Sequence, residues 1–182
     1  MAREIIIGVC GGIAAYKSAA LVSALVQDGH SVTVAMTRAA RKLVGPATFR
    51  ALTGREVATD MFTRRQPLGP HIELAERADL MCVAPATANI LGKLANGLAD
   101  DLLSTLLLAF EGPVVLAPAM NTVMWNKPAV GRNVAVLQAD GYHFVGPEEG
   151  WLSCRRSGKG RMSEPETIKQ KIDELLARQS TS

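Results

Sequence analysis

Two runs hold the residue types with the greatest capacity for chemistry. Gly150-Trp151-Leu152-Ser153-Cys154-Arg155-Arg156-Ser157-Gly158-Lys159-Gly160-Arg161-Met162 sets one thiol among glycines and four cations. Neighbouring positive charge favours the thiolate, and glycines let a loop fold over a ligand. Upstream lies a second unusual run, Pro118-Ala119-Met120-Asn121-Thr122-Val123-Met124-Trp125. Neither run makes sense as packing alone.

Three further segments belong with them. Gly11-Gly12-Ile13-Ala14-Ala15 follows an apolar strand and opens a helix, and its glycines and free helix amides suit a phosphate. It is neither a G-x-G-x-x-G run nor a P-loop, so a phosphate loop and a plain tight βα turn both fit it. Thr37 to Ala39 brings a hydroxyl and another helix start, which is a second anion contact or an ordinary cap. Ala84-Pro85-Ala86-Thr87-Ala88-Asn89 is small enough for a flat ring to lie against its backbone. His71 stands alone in His71-Ile72-Glu73-Leu74, and spacing does not separate a catalytic histidine from a structural one.

The elements that must position these residues alternate in type along the chain. Strands are expected at Ile5–Cys10, Ser31–Met36, Asp79–Ala84, Val114–Ala117 and Tyr142–Val145. Helices are expected at Ile13–Asp28 with Gly29 as its cap, Ala39–Leu43, Pro46–Leu52 and His71–Arg77. Further helices follow at Asn89–Phe110 as one helix or a pair, at Pro128–Asp140 and at Pro165–Arg178, and Glu56–Met61 is ambiguous. Repeated βα units predict an α/β fold: a parallel sheet with helices on both faces and right-handed crossovers. Ligands bind such sheets at the carboxyl ends of the strands. Every unusual residue above falls there.

Bulk properties narrow the class. At 182 residues, one domain over 1–182 is expected, with 146–163 as a loop closing over the ligand and 164–182 as a C-terminal helix and tail whose last residues, Gln179 to Ser182, fray. A formal charge of +3, with no aromatic residues among the basic clusters, argues against nucleic acid. The longest apolar stretch, Leu102 to Phe110, is far short of the roughly 20 residues a bilayer takes. Three cysteines without metal-type spacing suggest no metal site and a reducing compartment, with Cys10 and Cys82 buried and inert. A cytoplasmic protein is expected.

Taken in order, His71-Ile72-Glu73-Leu74, Ala84-Pro85-Ala86-Thr87-Ala88-Asn89, Gly97-Leu98-Ala99-Asp100-Asp101-Leu102-Leu103, the Pro118–Trp125 run and Gly158-Lys159-Gly160-Arg161-Met162 resemble the homo-oligomeric flavin-containing cysteine decarboxylase family. The resemblance runs from the first strand to about Met162. It implies a Rossmann-like, flavodoxin-like three-layer α/β/α fold that binds FMN where subunits of a homotrimer meet, with further assembly to a dodecamer left open. It also implies a reaction of coenzyme A synthesis, the loss of CO2 from 4′-phosphopantothenoylcysteine to give 4′-phosphopantetheine. By match to the family's motifs, His71 is the active-site base, Asn121 holds the substrate carboxylate, and Cys154 is the redox and proton-donating residue on a clamp. FMN contacts fall to Gly11, Gly12, Ile13, Thr37, Ala39, Thr87, Ala88, Asn89 and Ala119. Substrate contacts fall to Asn121, Met124, Trp151, Leu152, Ser153, Lys159 and Arg161.

These residue types suit that chemistry. A cysteine carboxylate has no electron sink, so it cannot simply lose CO2. Two-electron oxidation of its CH2–SH group gives a thioaldehyde, from which CO2 loss leaves a stabilised enethiolate, so the cofactor carries the hard step. Histidine exchanges protons near neutrality. A neutral amide holds the carboxylate without stabilising the charge that must leave. Two departures from the family pattern stand out: Arg155-Arg156-Ser157 follows the cysteine where the family usually has glycine, and Ile90 replaces a common threonine. Two other readings are a peptidyl-cysteine oxidative decarboxylase and a non-catalytic FMN-binding regulator of a phosphatase. Four cations near Cys154 favour a phosphate-bearing substrate over a peptide, and the short neutral end lacks the regulators' acidic tail.

Overall fold

Five apolar segments form a parallel sheet: β1 (Glu4–Val9), β2 (Ser31–Met36), β3 (Leu80–Ala86), β4 (Val114–Pro118) and the two-residue β5 (His143–Phe144). Their spatial order is β2-β1-β3-β4-β5, the doubly wound flavodoxin-like order. This computed structural model describes residues 2–62 and 70–179. β1, β3 and β4 are almost continuously apolar because helices cover both faces of the sheet.

Side chains that alternate along each strand feed two cores. Ile5, Ile7 and Val9 of β1 pack with Leu21 and Leu25 of α1 (Ala15–Gln27), Phe49 of α2 (Pro46–Thr53) and Ile168 and Ile172 of α8 (Pro165–Gln179). Ile6, with Met81 and Val83 of β3, faces the other way. That core takes Leu74 of α3 (Pro70–Arg77), Ile90 and Leu91 of α4 (Ala88–Ala95), Leu103 and Leu106 of α5 (Leu102–Ala109), and Leu137 of α7 (Pro128–Ala139). Strand order reverses between β1 and β3, so the turns after these two strands diverge and leave a crevice at their carboxyl ends.

Several boundaries differ from expectation for identifiable reasons. The first helix begins at Ala15 rather than Ile13, because a tight turn closed by Gly12 N–H to the Cys10 carbonyl precedes it. Asn89–Phe110 resolves into a pair. Gly97 at φ +64° breaks it, and Asp101 starts α5 through a reciprocal capping box with Ser104. Ala39–Leu43 is a single 3-10 turn over Ala40–Lys42, and the ambiguous Glu56–Met61 makes one parallel bridge, Ala58 to Ala35. A four-residue helix, α6 (Thr122–Trp125), was not foreseen.

The largest correction concerns 146–163. It was expected as a loop, but it contains an antiparallel hairpin, β6 (Glu148–Leu152) and β7 (Arg156–Arg161). With few apolar residues to alternate, this stretch carries no strand signal in its sequence. The fraying expected at the C-terminus concerns residues that, beyond Gln179, lie outside the described ones.

The opposite end of the sheet is closed by charge. Arg55 Nη1 and Nη2 lie 2.7 and 2.9 Å from the two Glu4 carboxylate oxygens, and Arg77 Nε is 3.5 Å away. The Arg55 hydrogen bonds hold the Glu4 pKa below its ordinary value against the opposing effect of burial. A carboxyl with a depressed folded pKa adds stability that is present above its unfolded pKa and lost as pH falls through the folded one. Glu4→Gln is therefore expected to melt below wild type at pH 7, with the gap closing as the pH is lowered below 4. Melting temperatures measured across pH 3–7 check this, and a constant gap would disprove the linkage.

Candidate active site

A cavity of about 940 Å³ opens at the carboxyl ends of β1 to β4. Small-molecule sites run to roughly 300–1,000 Å³, so this one has room for a cofactor and a substrate together. Gly11, Gly12 and Ile13 after β1 line it, with Thr37 and Ala39 after β2, Thr87, Ala88 and Asn89 around the start of α4, and Ala119 after β4. Four successive strand ends thus meet at one place, as the crossover topology requires.

The glycine turn serves two ends. A side chain on Gly11 would put its Cβ 2.3 Å from the Ala39 Cβ, so the turns after β1 and β2 touch only because Gly11 has none. Gly12 faces Thr87 and Pro85 at ordinary contact distances of 3.5 and 3.6 Å. Beyond it the Ile13 and Ala14 amides, in the turn that leads into α1, have no hydrogen-bond partner among the described residues. Thr37 Oγ1 accepts from the Ala40 amide at 3.2 Å, the ordinary cap, which leaves the hydroxyl proton free to donate. Thr87 caps α4 with its backbone alone, and the first residues of that helix, Ala88 and Asn89, line the cavity.

Asn121 and Cys154, 33 residues apart, meet at the rim with Asn121 Nδ2 donating to Cys154 Sγ at 3.2 Å. Asn121 is also the N-cap of α6, where its Oδ1 accepts from the Val123 amide at 2.7 Å. That bond settles the orientation of the amide. The oxygen faces the helix and the NH2 group faces the cavity, so the side chain presents donors to any carboxylate there. Met124, one turn on, also lines the cavity.

Cys154 is the middle residue of the three-residue turn joining β6 and β7, closed by Arg155 N–H to the Leu152 carbonyl at 2.9 Å. Trp151, Leu152 and Ser153 line the cavity beside it. Arg155 has φ +60°, the left-handed conformation that the last residue of such a turn adopts and that glycine adopts without cost. The departure from glycine noted in the sequence thus falls on the one non-glycine residue at positive φ among the described residues. Arg155→Gly is expected to stabilise the hairpin by about 0.5–1 kcal/mol, the left-handed penalty less the added chain entropy. A rise in melting temperature, or slower proteolysis at the turn, would register it.

Glycines of the hairpin do a different job from the one expected of them. A Cβ on Gly158 would lie 2.5 Å from Thr122 Oγ1, and one on Gly160, at φ +147°, would lie 2.2 Å from the Met120 carbonyl oxygen. The Met120 amide donates to the Gly160 carbonyl at 2.9 Å. Their role is close packing: they seat β7 on the turn that carries Asn121, and so aim Cys154 at it.

The four cations of this segment do not converge. Arg161 lines the cavity, but its Nη2 lies 3.2 Å from Glu148 and 3.1 Å from Glu164. Arg155, Arg156 and Lys159 are exposed and outside the lining. Nor does the cavity include His71, which sits half-buried on α3 with its Nδ1 buried and unpartnered. Ile90, the other departure, is buried in the second core while also touching the cavity.

Sequence reasoning missed Lys17, Arg38 and Asp101, which all line the cavity. Arg38 lies between two residues already singled out, and Asp101 lies in a quoted motif, so adjacency was the available signal. Cys10 and Cys82 are buried as expected. Burial pushes the Cys10 thiol up to about 12 and the Cys82 thiol higher still, so both stay protonated near neutrality. No cluster of three or more metal-ligating side chains occurs among the described residues.

The chain is similar to known proteins over nearly its whole length. The profile of the family described as Flavoprotein matches residues 1–177. The chain is 51% identical over 181 residues to the coenzyme A biosynthesis bifunctional protein CoaBC of Bacillus subtilis (strain 168), a match covering 99% of this chain and 45% of that protein. It thus spans less than half the length of that relative. Among solved structures, the FMN-dependent cysteine decarboxylase SpaF superposes with a TM-score of 0.85 at 35% identity, covering 97% of this chain and 96% of that one. A cysteine-to-serine variant of PPC decarboxylase complexed with pantothenoylaminoethenethiol gives 0.86 at 27% identity, covering 97% and 100%.

Proposed function

The chain belongs to the Flavoprotein family, and from that premise we propose that it is an FMN-dependent decarboxylase converting 4′-phosphopantothenoylcysteine to 4′-phosphopantetheine. The observation that carries this reading is the donor contact between Asn121 and the Cys154 thiol at the rim of a cavity floored by four strand ends. The wall has the character a flavin needs: small residues at Gly11, Gly12, Ala39, Ala88 and Ala119, and unpartnered amides at Ile13 and Ala14. With Thr37, Thr87 and Asn89 these would hold FMN. Bound there, it supplies the two-electron chemistry that a cysteine carboxylate lacks.

The chain's own residues then do the rest. The Asn121 NH2 group binds the substrate carboxylate as a neutral donor, which favours departure of the charge over its retention. A carboxylate at Asn121 Nδ2 takes the place of Cys154 Sγ, so the thiol is left beside the carbon from which CO2 departs. Cys154 delivers a proton to that carbon as the enethiol is reduced. Trp151 and Leu152 close over the substrate and exclude water, and Met124 packs against it.

His71 completes the site from a second copy of the chain in a homotrimer. Ile72 beside it, and Leu98 and Leu108 on the same side of the sheet, are apolar and 39–57% exposed, which fits burial against another copy. Among the described residues no helix is long and apolar enough to cross a membrane, and the reading places the reaction in the cytoplasm.

Anaerobic incubation of the FMN-loaded protein with 4′-phosphopantothenoylcysteine, with products identified by mass spectrometry, tests the reading. Appearance of 4′-phosphopantetheine is the expected result. Unchanged substrate, with CO2 released instead from a peptide ending in cysteine, would transfer the assignment to a peptidyl-cysteine decarboxylase.

A further inference from the structure

Three cations line the cavity: Lys17, Arg38 and Arg161. Two are already answered. Lys17 Nζ lies 2.8 Å from Glu164 Oε1, and Arg161 is shared between Glu148 and Glu164. Among the described residues the one acid on the wall, Asp101, is matched by Lys93 at 2.6 Å. Arg38 is the exception, exposed and with no ion pair or side-chain hydrogen bond among the described residues.

Its position is telling. Arg38 lies between Thr37, whose hydroxyl proton is free to donate, and Ala39, whose Cβ abuts Gly11. The Ile13 and Ala14 amides follow directly on that contact. Hydroxyls, amides and a helix start bind a phosphate but neutralise only about half a charge. A phosphate monoester carries nearly two. The remaining charge needs a cation not already committed to a carboxylate, and a guanidinium pairs with phosphate oxygens through two parallel hydrogen bonds.

We propose that Arg38 is the charge partner of the cofactor's phosphate and makes this site select FMN over its dephosphorylated form, riboflavin. This rests on the reading of the cavity as an FMN site. The residue is a specificity determinant and takes no part in the chemistry.

The test is a binding measurement. The full chain, stripped of flavin, is titrated with FMN and separately with riboflavin, following flavin fluorescence, for wild type, Arg38→Gln and Arg38→Lys. Arg38→Gln is expected to weaken FMN about tenfold while leaving riboflavin unchanged, as for a lost hydrogen bond to a charged group. Arg38→Lys should keep most of the FMN affinity. Raising the salt should weaken FMN binding more in wild type than in Arg38→Gln, because an exposed charge pair is screened. Equal losses for the two flavins, or none for FMN, would overturn the assignment while leaving the cofactor reading intact. Failure of wild type to bind either flavin would overturn the cofactor reading, and this inference with it. Arg38 is exposed, so a folded variant is expected, and an unchanged circular dichroism spectrum verifies it.

Discussion

Replacing Cys154 with serine is expected to cut the yield of 4′-phosphopantetheine by at least about 100-fold, while CO2 release in the first turnover stays near wild type. In the proposed mechanism the two half-reactions use different residues. Loss of CO2 needs Asn121 and the cofactor, and the Asn121 amide keeps its orientation through the Val123 bond when its contact with Cys154 Sγ is altered. Return of electrons and a proton to the enethiol needs an acid at the position of Cys154 Sγ, and a serine hydroxyl is far too weak an acid to serve. Without air, each site should then release one equivalent of CO2 and stop, because the electrons taken from substrate are not given back. In air, dioxygen removes those electrons and the enethiol should accumulate. Mass spectrometry of the products, beside CO2 counted per site, separates the two stages. An unchanged pantetheine yield would remove Cys154 from the mechanism, and loss of the CO2 burst as well would place the thiol in the first half-reaction.

The second large effect is recovery of activity from two inactive proteins. His71→Asn and Cys154→Ser are each expected to abolish net turnover. Co-expressed in equal amounts and allowed to assemble, they should recover about a quarter of wild-type activity, the share of sites in a randomly mixed ring that pair an intact Cys154 with a neighbour's intact His71. The reason is geometric. His71 on α3 is not among the residues lining the cavity that holds Asn121 and Cys154 within one chain. If a single chain supplied both groups, no mixed assembly would contain a complete site and activity would stay at zero. Steady-state rates of the purified mixed oligomer, with the ratio of variants measured by mass spectrometry, decide between these outcomes.

Much of the frame was legible before any coordinates. The runs Ile5–Cys10, Asp79–Ala84 and Val114–Ala117 announced strands that the structure places within a residue or two, and burial on both faces is why they lack polar alternation. Helix positions followed in part from signals such as Gly29 as a cap and Pro165 near a helix start, whereas the break at Gly97 emerged only in the structure. The turns after successive strands could be named as the place for a ligand, since a parallel sheet collects its strand ends on one side. Hairpin β6–β7 was not legible. Its residues lack a buried face of their own, and its pairing depends on Gly158 and Gly160 fitting against Thr122 and Met120, which no local pattern records.

By itself, then, the sequence determined the class of fold, the order of the sheet strands and their main helices, and most of the segments that line the cavity, because periodicity, burial and turn chemistry act over a few neighbouring residues. Only the tertiary structure decided which of those residues meet. It brought Asn121 to Cys154 across 33 residues and oriented the amide by its capping bond. It also committed Arg161 and Lys17 to carboxylates, left Arg38 without an ion pair among the described residues, and kept His71 out of the lining of its own chain's cavity. Those outcomes depend on crossover direction, strand register and the close approach of backbones, which arise only when distant segments pack.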